Sequence, residues 1–133
     1  MFEPPPLEDA REWISRARSD LALAQARPEG VYLEDLCFHA QQAAEKAIKA
    51  LLIRHGIPFP YVHDLAALLT LFEKATGDLP DSIRQAERLT PFAVEMRYPG
   101  AAPPVGEDKY REAVELAGKV VRWAEKQLRS PQR

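Results

Sequence analysis

The 133-residue sequence predicts an all-α fold, an antiparallel up-and-down bundle of four to five helices. Apolar residues recur at spacings of three and four over long stretches, the period of a helix with one buried face. Most of the twelve prolines and six glycines fall between those stretches. No segment alternates apolar and polar residues with the period of two that marks a half-buried strand.

After a short proline-rich lead, Leu7, Ala10, Ile14, Ala17, Leu21 and Ala24 form the inner stripe of a first helix. Glu8 and Asp9 suit the positive end of its dipole, and Arg27-Pro28-Glu29-Gly30 stops it. A second helix runs from about Tyr32 to His55, with Gly56 as its closing residue. Ile57 to Val62 holds two prolines within three residues and reads as an irregular connection. Asp64 opens a third helix that turns Leu65, Leu68, Leu69 and Phe72 inward and ends near Gly77. A fourth is expected after Pro80, with Ile83, Ala86 and Leu89 inward, and Thr90-Pro91 either kinks or restarts it. The chain then leaves the helix near Arg97 and crosses a Pro- and Gly-rich loop to Gly106. A fifth helix spans about Glu107 to Leu128, and residues 129–133 are expected to fray.

This length makes a single domain over residues 1–133, with its core at about 7–128. A net charge of −2 argues against broad non-specific nucleic-acid binding, so any RNA contact must be local. The single cysteine, Cys37, lies on the apolar arc of the second helix and is expected in the core, which fits a reducing, cytoplasmic setting. No apolar run approaches the roughly 20 residues of a membrane span. The lack of Asn, with Pro-rich loops and abundant Ala and Arg, fits a thermophilic source.

The second helix carries the most information. Leu33, Leu36, Cys37, Ala40, Ala44, Ala47, Ile48 and Leu51 share one arc, and His39, Gln42, Lys46 and Lys49 share another. Together with Trp13, the Asp20-Leu21 pair, His63-Asp64-Leu65 and Arg97-Tyr98-Pro99-Gly100, in that order, the chain from about Ala10 to Leu128 resembles the HEPN family of small prokaryotic helical proteins. The resemblance implies a helical bundle, a homodimer, and an activity of RNA cleavage or of nucleotide-linked regulation beside a small nucleotidyltransferase in a toxin-antitoxin type system.

His39, Gln42 and Lys46 are the ligand-binding candidates on that helix, since side chains three and four apart share a face and could hold a phosphate or a base edge. The alternative is a solvated or dimer-contacting face. Gln41 lies nearer the apolar arc and needs hydrogen-bond partners there. Glu45 and Lys49 have the spacing of a helical ion pair of a few tenths of a kcal/mol, about 0.3. Arg97, at a helix end, could offer paired donors to a phosphate, and Tyr98 could stack on a base. His63 could cap, ligate or titrate, whereas His55 is explained by the negative end of the helix dipole.

Ribonucleases of the family carry an Arg followed, after four to six residues, by a His that moves a proton at the attacking 2′-hydroxyl. Here the positions after Arg97 are Ala102, Pro103 and Pro104, and no other Arg has a His at that spacing. No metal-ligand spacing and no Gly-rich phosphate loop is evident, so no metal and no cofactor are expected. The reading is a dimeric binding module that associates with a nucleotidyltransferase partner, nucleotide or RNA. The alternative is a metal-independent ribonuclease toxin whose catalytic candidates are Arg97, His39 and His63. Phe59, Tyr61, Phe92 and Tyr98, in or near loops, supply a motive for dimerisation.

Overall fold

The computed structural model describes residues 8–93 and 103–129, and every described element is helical. Helix α1 spans Glu8–Ala26, α2 Leu33–Arg54, α3 Leu65–Thr76, α4 Asp81–Arg84 and α5 Glu107–Arg129. Helix α4 passes without a break into a 3-10 segment, Gln85–Ala93.

Cross-helix pairings set the directions. Arg27 meets Glu107, the Tyr110 hydroxyl donates to the Ala24 carbonyl at 2.5 Å, and Arg18 meets Glu125, so α1 and α5 run antiparallel. Asp20 meets His39 and Lys46, and Trp13 lies over Lys49, so α1 and α2 are antiparallel too. Helices α2 and α5 therefore run the same way, with Glu34 accepting from the Val105 amide at one end and Arg54 donating to the Leu128 carbonyl at the other.

Helix α2 is the axis of the bundle. It packs on α1 and α5 along its length and touches α3 and the 3-10 segment. Fourteen of its 22 residues are buried, and from Ala43 to Ile53 only Lys46 keeps partial exposure. A helix enclosed on all sides needs small or apolar residues all round, which the alanines at 40, 43, 44, 47 and 50 supply. Cys37 is fully buried among them, and burial pushes its thiol up to about 12, which keeps it unreactive.

Local signals place the helix ends. At the end of α2, Gly56 adopts a φ of 66°, its amide donates to the Ile53 carbonyl, and the Ile57 amide donates to Leu52. That six-to-one and five-to-two pairing is the Schellman closure, which the left-handed conformation of glycine permits. Asp64 caps α3 by accepting from the Ala66 and Ala67 amides, and Gly77 closes it at a φ of 72°.

The expectation for the fourth helix is corrected. A single α-turn is followed by nine residues of 3-10 helix running through Pro91. Thr90 does not cap a restarted helix: its hydroxyl accepts from the Leu65 amide and so serves the start of α3. Phe92 is buried, Phe59 is packed against the core, and Tyr61 is 92% exposed, so among the described aromatics of that dimerisation argument Tyr61 alone remains on the surface. Arg129 continues α5 as its last residue.

Candidate functional site: two carboxylate clusters on the central helix

The polar residues of α2 divide into two clusters, each organised around a carboxylate. In the first, Asp20 from α1 is gripped from α2 by Lys46, whose Nζ lies 2.6 Å from Oδ2, and by His39, whose Nδ1 lies 3.1 Å from Oδ1. His39 and Lys46 are seven residues apart, two turns of helix, and Asp20 fits between them. Two of the three ligand-binding candidates on α2 therefore come together, on a carboxylate of the same chain.

In the second cluster, Glu45 receives three donors. Lys49 Nζ is 2.8 Å from Oε2, Gln41 Nε2 is 2.9 Å from Oε1, and His63 Nδ1 is 3.0 Å from Oε1. Gln41, Glu45 and Lys49 follow at i, i+4 and i+8 and so form one row along the helix. The Glu45 and Lys49 side chains are only 4% and 6% exposed. The Lys49 ammonium also sits 5.6 Å from the ring centroids of both Trp13 and Phe59, a cation–π sandwich between α1 and the connection after α2. Burial alone would push the Glu45 carboxyl up, but the hydrogen bonds from Lys49, Gln41 and His63 and the charge of Lys49 outweigh it, and its pKa lies below the ordinary value. An ionised carboxylate only accepts, so the His63 Nδ1 carries the proton of their shared bond and Nε2 is the ring's other polar atom. The His63 side chain is 58% exposed.

Gln42, the third candidate on this helix, joins the Glu45 cluster through Gln41. Its Nε2 donates to Gln41 Oε1 at 2.8 Å, and Gln41 also reaches the His63 carbonyl at 3.4 Å. Among the described residues no buried side-chain polar atom lacks a partner.

Two sequence expectations change. Lys49 does not share an open face with His39, Gln42 and Lys46, because α2 is covered on that side by Trp13 and Phe59. Its pairing with Glu45 is accordingly buried and not a surface pair. His55 caps the end of α2 with its ring edge-on to Phe72 at 5.6 Å, and partial burial, followed by the Arg54 charge, lowers its pKa where a dipole effect alone would raise it. Arg97 and Tyr98 lie outside the described residues. The sequence reading missed the Glu45-centred cluster as a unit. Its signal was the i, i+4, i+8 row of Gln, Glu and Lys on a helix whose neighbouring positions are apolar.

No group of three or more His, Cys, Asp or Glu among the described residues is arranged to hold a metal ion, and no helix there is long and apolar enough to cross a membrane.

An alanine-rich central helix carrying two carboxylate clusters in a five-helix bundle defines a class of protein, and comparison with known proteins identifies it. The HEPN domain family model matches residues 10–127. The crystal structure of TT1696 from Thermus thermophilus superposes with a TM-score of 0.78 at 32% identity, over 89% of this chain and 97% of that one. That of ST0689, described as an archaeal HEPN homologue, superposes with a TM-score of 0.71 at 31% identity, over 94% and 99%. A curated relative from Methanocaldococcus jannaschii, named "Putative toxin MJ1304", is 42% identical over 50 residues. That stretch is 38% of this chain and 33% of the relative, so the likeness spans about a third of that protein. The chain belongs to the HEPN domain family.

Proposed function

We propose that this protein is a dimeric binding module of a toxin-antitoxin type system, one that associates with a nucleotidyltransferase partner and binds nucleotide or RNA. The observation that carries the reading is the missing catalytic pair: no Arg in the chain is followed by His at the family's ribonuclease spacing, and Ala102, Pro103 and Pro104 stand where that His would follow Arg97. The geometry of α2 limits where a ligand could be held. His39, Gln42 and Lys46 spend hydrogen bonds on Asp20 and Gln41, so this face holds helices together and has only its remaining donors to offer a ligand. The name of the relative from Methanocaldococcus jannaschii supports a toxin-type setting.

The test is incubation of the purified protein with mixed cellular RNA in EDTA, wild type beside Arg97→Ala, read on a denaturing gel. Intact RNA in both lanes is the expected result. Light scattering is expected to report a dimer, and a monomer-sized particle at every concentration removes that part of the proposal.

One arrangement favours a second reading, a metal-independent ribonuclease. A half-exposed imidazole oriented through Nδ1 by a buried, ionised carboxylate is a geometry suited to proton transfer at Nε2, and His63 on Glu45 has it. This reading expects wild-type cleavage that disappears in both His63→Gln and Arg97→Ala. Cleavage surviving His63→Gln would eliminate that histidine.

A further inference from the structure

The chain holds three histidines, and their surroundings differ in charge and in access. His63 Nδ1 lies 3.0 Å from Glu45 Oε1 and His39 Nδ1 lies 3.1 Å from Asp20 Oδ1, whereas His55 follows Arg54, whose charge disfavours a cationic ring. Both carboxylates already hold a lysine, so access separates His63 from His39. The His63 side chain is 58% exposed and stands in the connection ahead of α3. That of His39 is 33% exposed, on the body of α2, with the Phe38 ring edge-on at 5.4 Å.

The partner of His63 is fixed independently of it. Lys49 donates to Glu45 Oε2 and Gln41 to Oε1, and Gln41 also reaches the His63 carbonyl, so one amide sets the carboxylate and the histidine backbone in register. Glu45 is ionised at neutral pH and accepts the Nδ1 proton, which leaves the lone pair of the neutral ring on Nε2. Asp64, the next carboxylate along the chain, is committed to the Ala66 and Ala67 amides.

We propose that His63 is a phosphoryl-acceptor site, its Nε2 taking the phosphoryl group of a small acyl phosphate. The Nε2 lone pair attacks phosphorus, the bridging P–O bond breaks, and the donor's carboxylate leaves with the electron pair. The Nδ1 proton stays on the ring, which becomes a phosphoimidazolium, so a positive charge forms beside a carboxylate already in place. Glu45 is the positioning residue: it selects the tautomer and stabilises the cation. This goes beyond proton transfer at the same ring, since Nε2 here forms a covalent bond and no RNA is involved.

Incubation of the full chain with acetyl phosphate at neutral pH tests it, read by mass spectrometry with peptide mapping and by phosphorus NMR. One phosphoryl group, stable to base and labile to acid, is expected on Nε2 of His63. His63→Gln should take up none, and His55→Gln should match wild type. Glu45→Gln should slow uptake by about tenfold or more, because the forming cation loses its counter-charge. Circular dichroism checks that this variant is folded, and nitrogen NMR of the His63 ring should show the proton moving from Nδ1 to Nε2, a change that a merely structural role for Glu45 would not produce. The wild-type chain unfolded in urea should also react about tenfold more slowly. No uptake by wild type, equal uptake by His63→Gln, a phosphoryl group on His39, or phosphorus on Nδ1 overturns the site. An unfolded chain that reacts as fast as the folded one overturns it too, since His63 would then be an ordinary exposed histidine. Uptake by Glu45→Gln at the wild-type rate overturns the role given to Glu45.

Discussion

The Glu45 and Asp20 clusters use the same vocabulary, a carboxylate held by a lysine and a histidine, yet they occupy different solvents. Glu45 and Lys49 are enclosed by Trp13, Phe59 and the body of α2, whereas Lys46 keeps 26% of its side chain in water. Ion pairs at a surface contribute little because water already solvates both members. An enclosed pair is different: its formation is offset by desolvation, but losing one partner strands the other where nothing replaces it. The Glu45 cluster is therefore a keystone joining α2, α1 and the approach to α3, and the Asp20 cluster is a fastening at the rim.

Breaking the buried pair should produce the largest effect. Lys49→Met retains length and apolar bulk while taking the lysine charge from Glu45 and leaving it only the bonds from Gln41 and His63, and is expected to destabilise by about 3 kcal/mol in urea unfolding. Out of a typical total of roughly 5–15 kcal/mol, this takes the protein close to its limit. Combining Lys49→Met with Glu45→Gln should recover part of the loss, since the amide still accepts from Gln41 and no lone charge remains buried. A double variant no more stable than Lys49→Met would show that the cost lies in packing and not in charge.

Acid sharpens the same comparison. Glu45 titrates below the ordinary 4.5 in the folded protein because its donors outweigh its burial. A depressed carboxylate contributes stability that is fully present above the unfolded pKa and is lost as pH falls through the folded one. The stability gap between wild type and Glu45→Gln should therefore be constant from pH 7 to about 5 and shrink below 4.5. A gap that widens on acidification would contradict the assignment.

Smaller effects belong to the ends of α3. Asp64→Ala removes the acceptor for the Ala66 and Ala67 amides and should cost about 1 kcal/mol. Gly77→Ala, at a φ of 72°, should cost a similar amount, about 1 kcal/mol, although a Cβ there meets nothing within 4 Å, because the strain is in the backbone.

Those helix ends show which parts of the molecule could be read from the sequence. Gly56, Asp64 and Gly77 act through bonds to residues within five positions, so their roles are contained in the local sequence. Lys49 was misplaced because its surroundings come from Trp13 and Phe59, distant in sequence, and because helical periodicity assumes one wet face that a central helix lacks. Thr90 carries a cap signal, but tertiary packing delivers its hydroxyl to Leu65 instead. The candidate site was half legible: His39 and Lys46 do share a face, but their common partner Asp20 lies on another helix.

Salt offers the finest distinction between the clusters. Lys46→Met removes a partly solvated partner of the buried Asp20 while His39 stays in place, and the expected loss is about 1 kcal/mol, at the upper end for a solvated pair. Mobile ions screen charges they can approach, with a Debye length that falls from about 10 Å at 0.1 M to about 3 Å at 1 M. The Lys46→Met deficit should therefore narrow as salt rises, and the Lys49→Met deficit should not, because ions cannot enter between Trp13 and Phe59. Equal salt sensitivity in the two variants would mean that water reaches Glu45, and its shielding from solvent would then be too weak to make it a keystone.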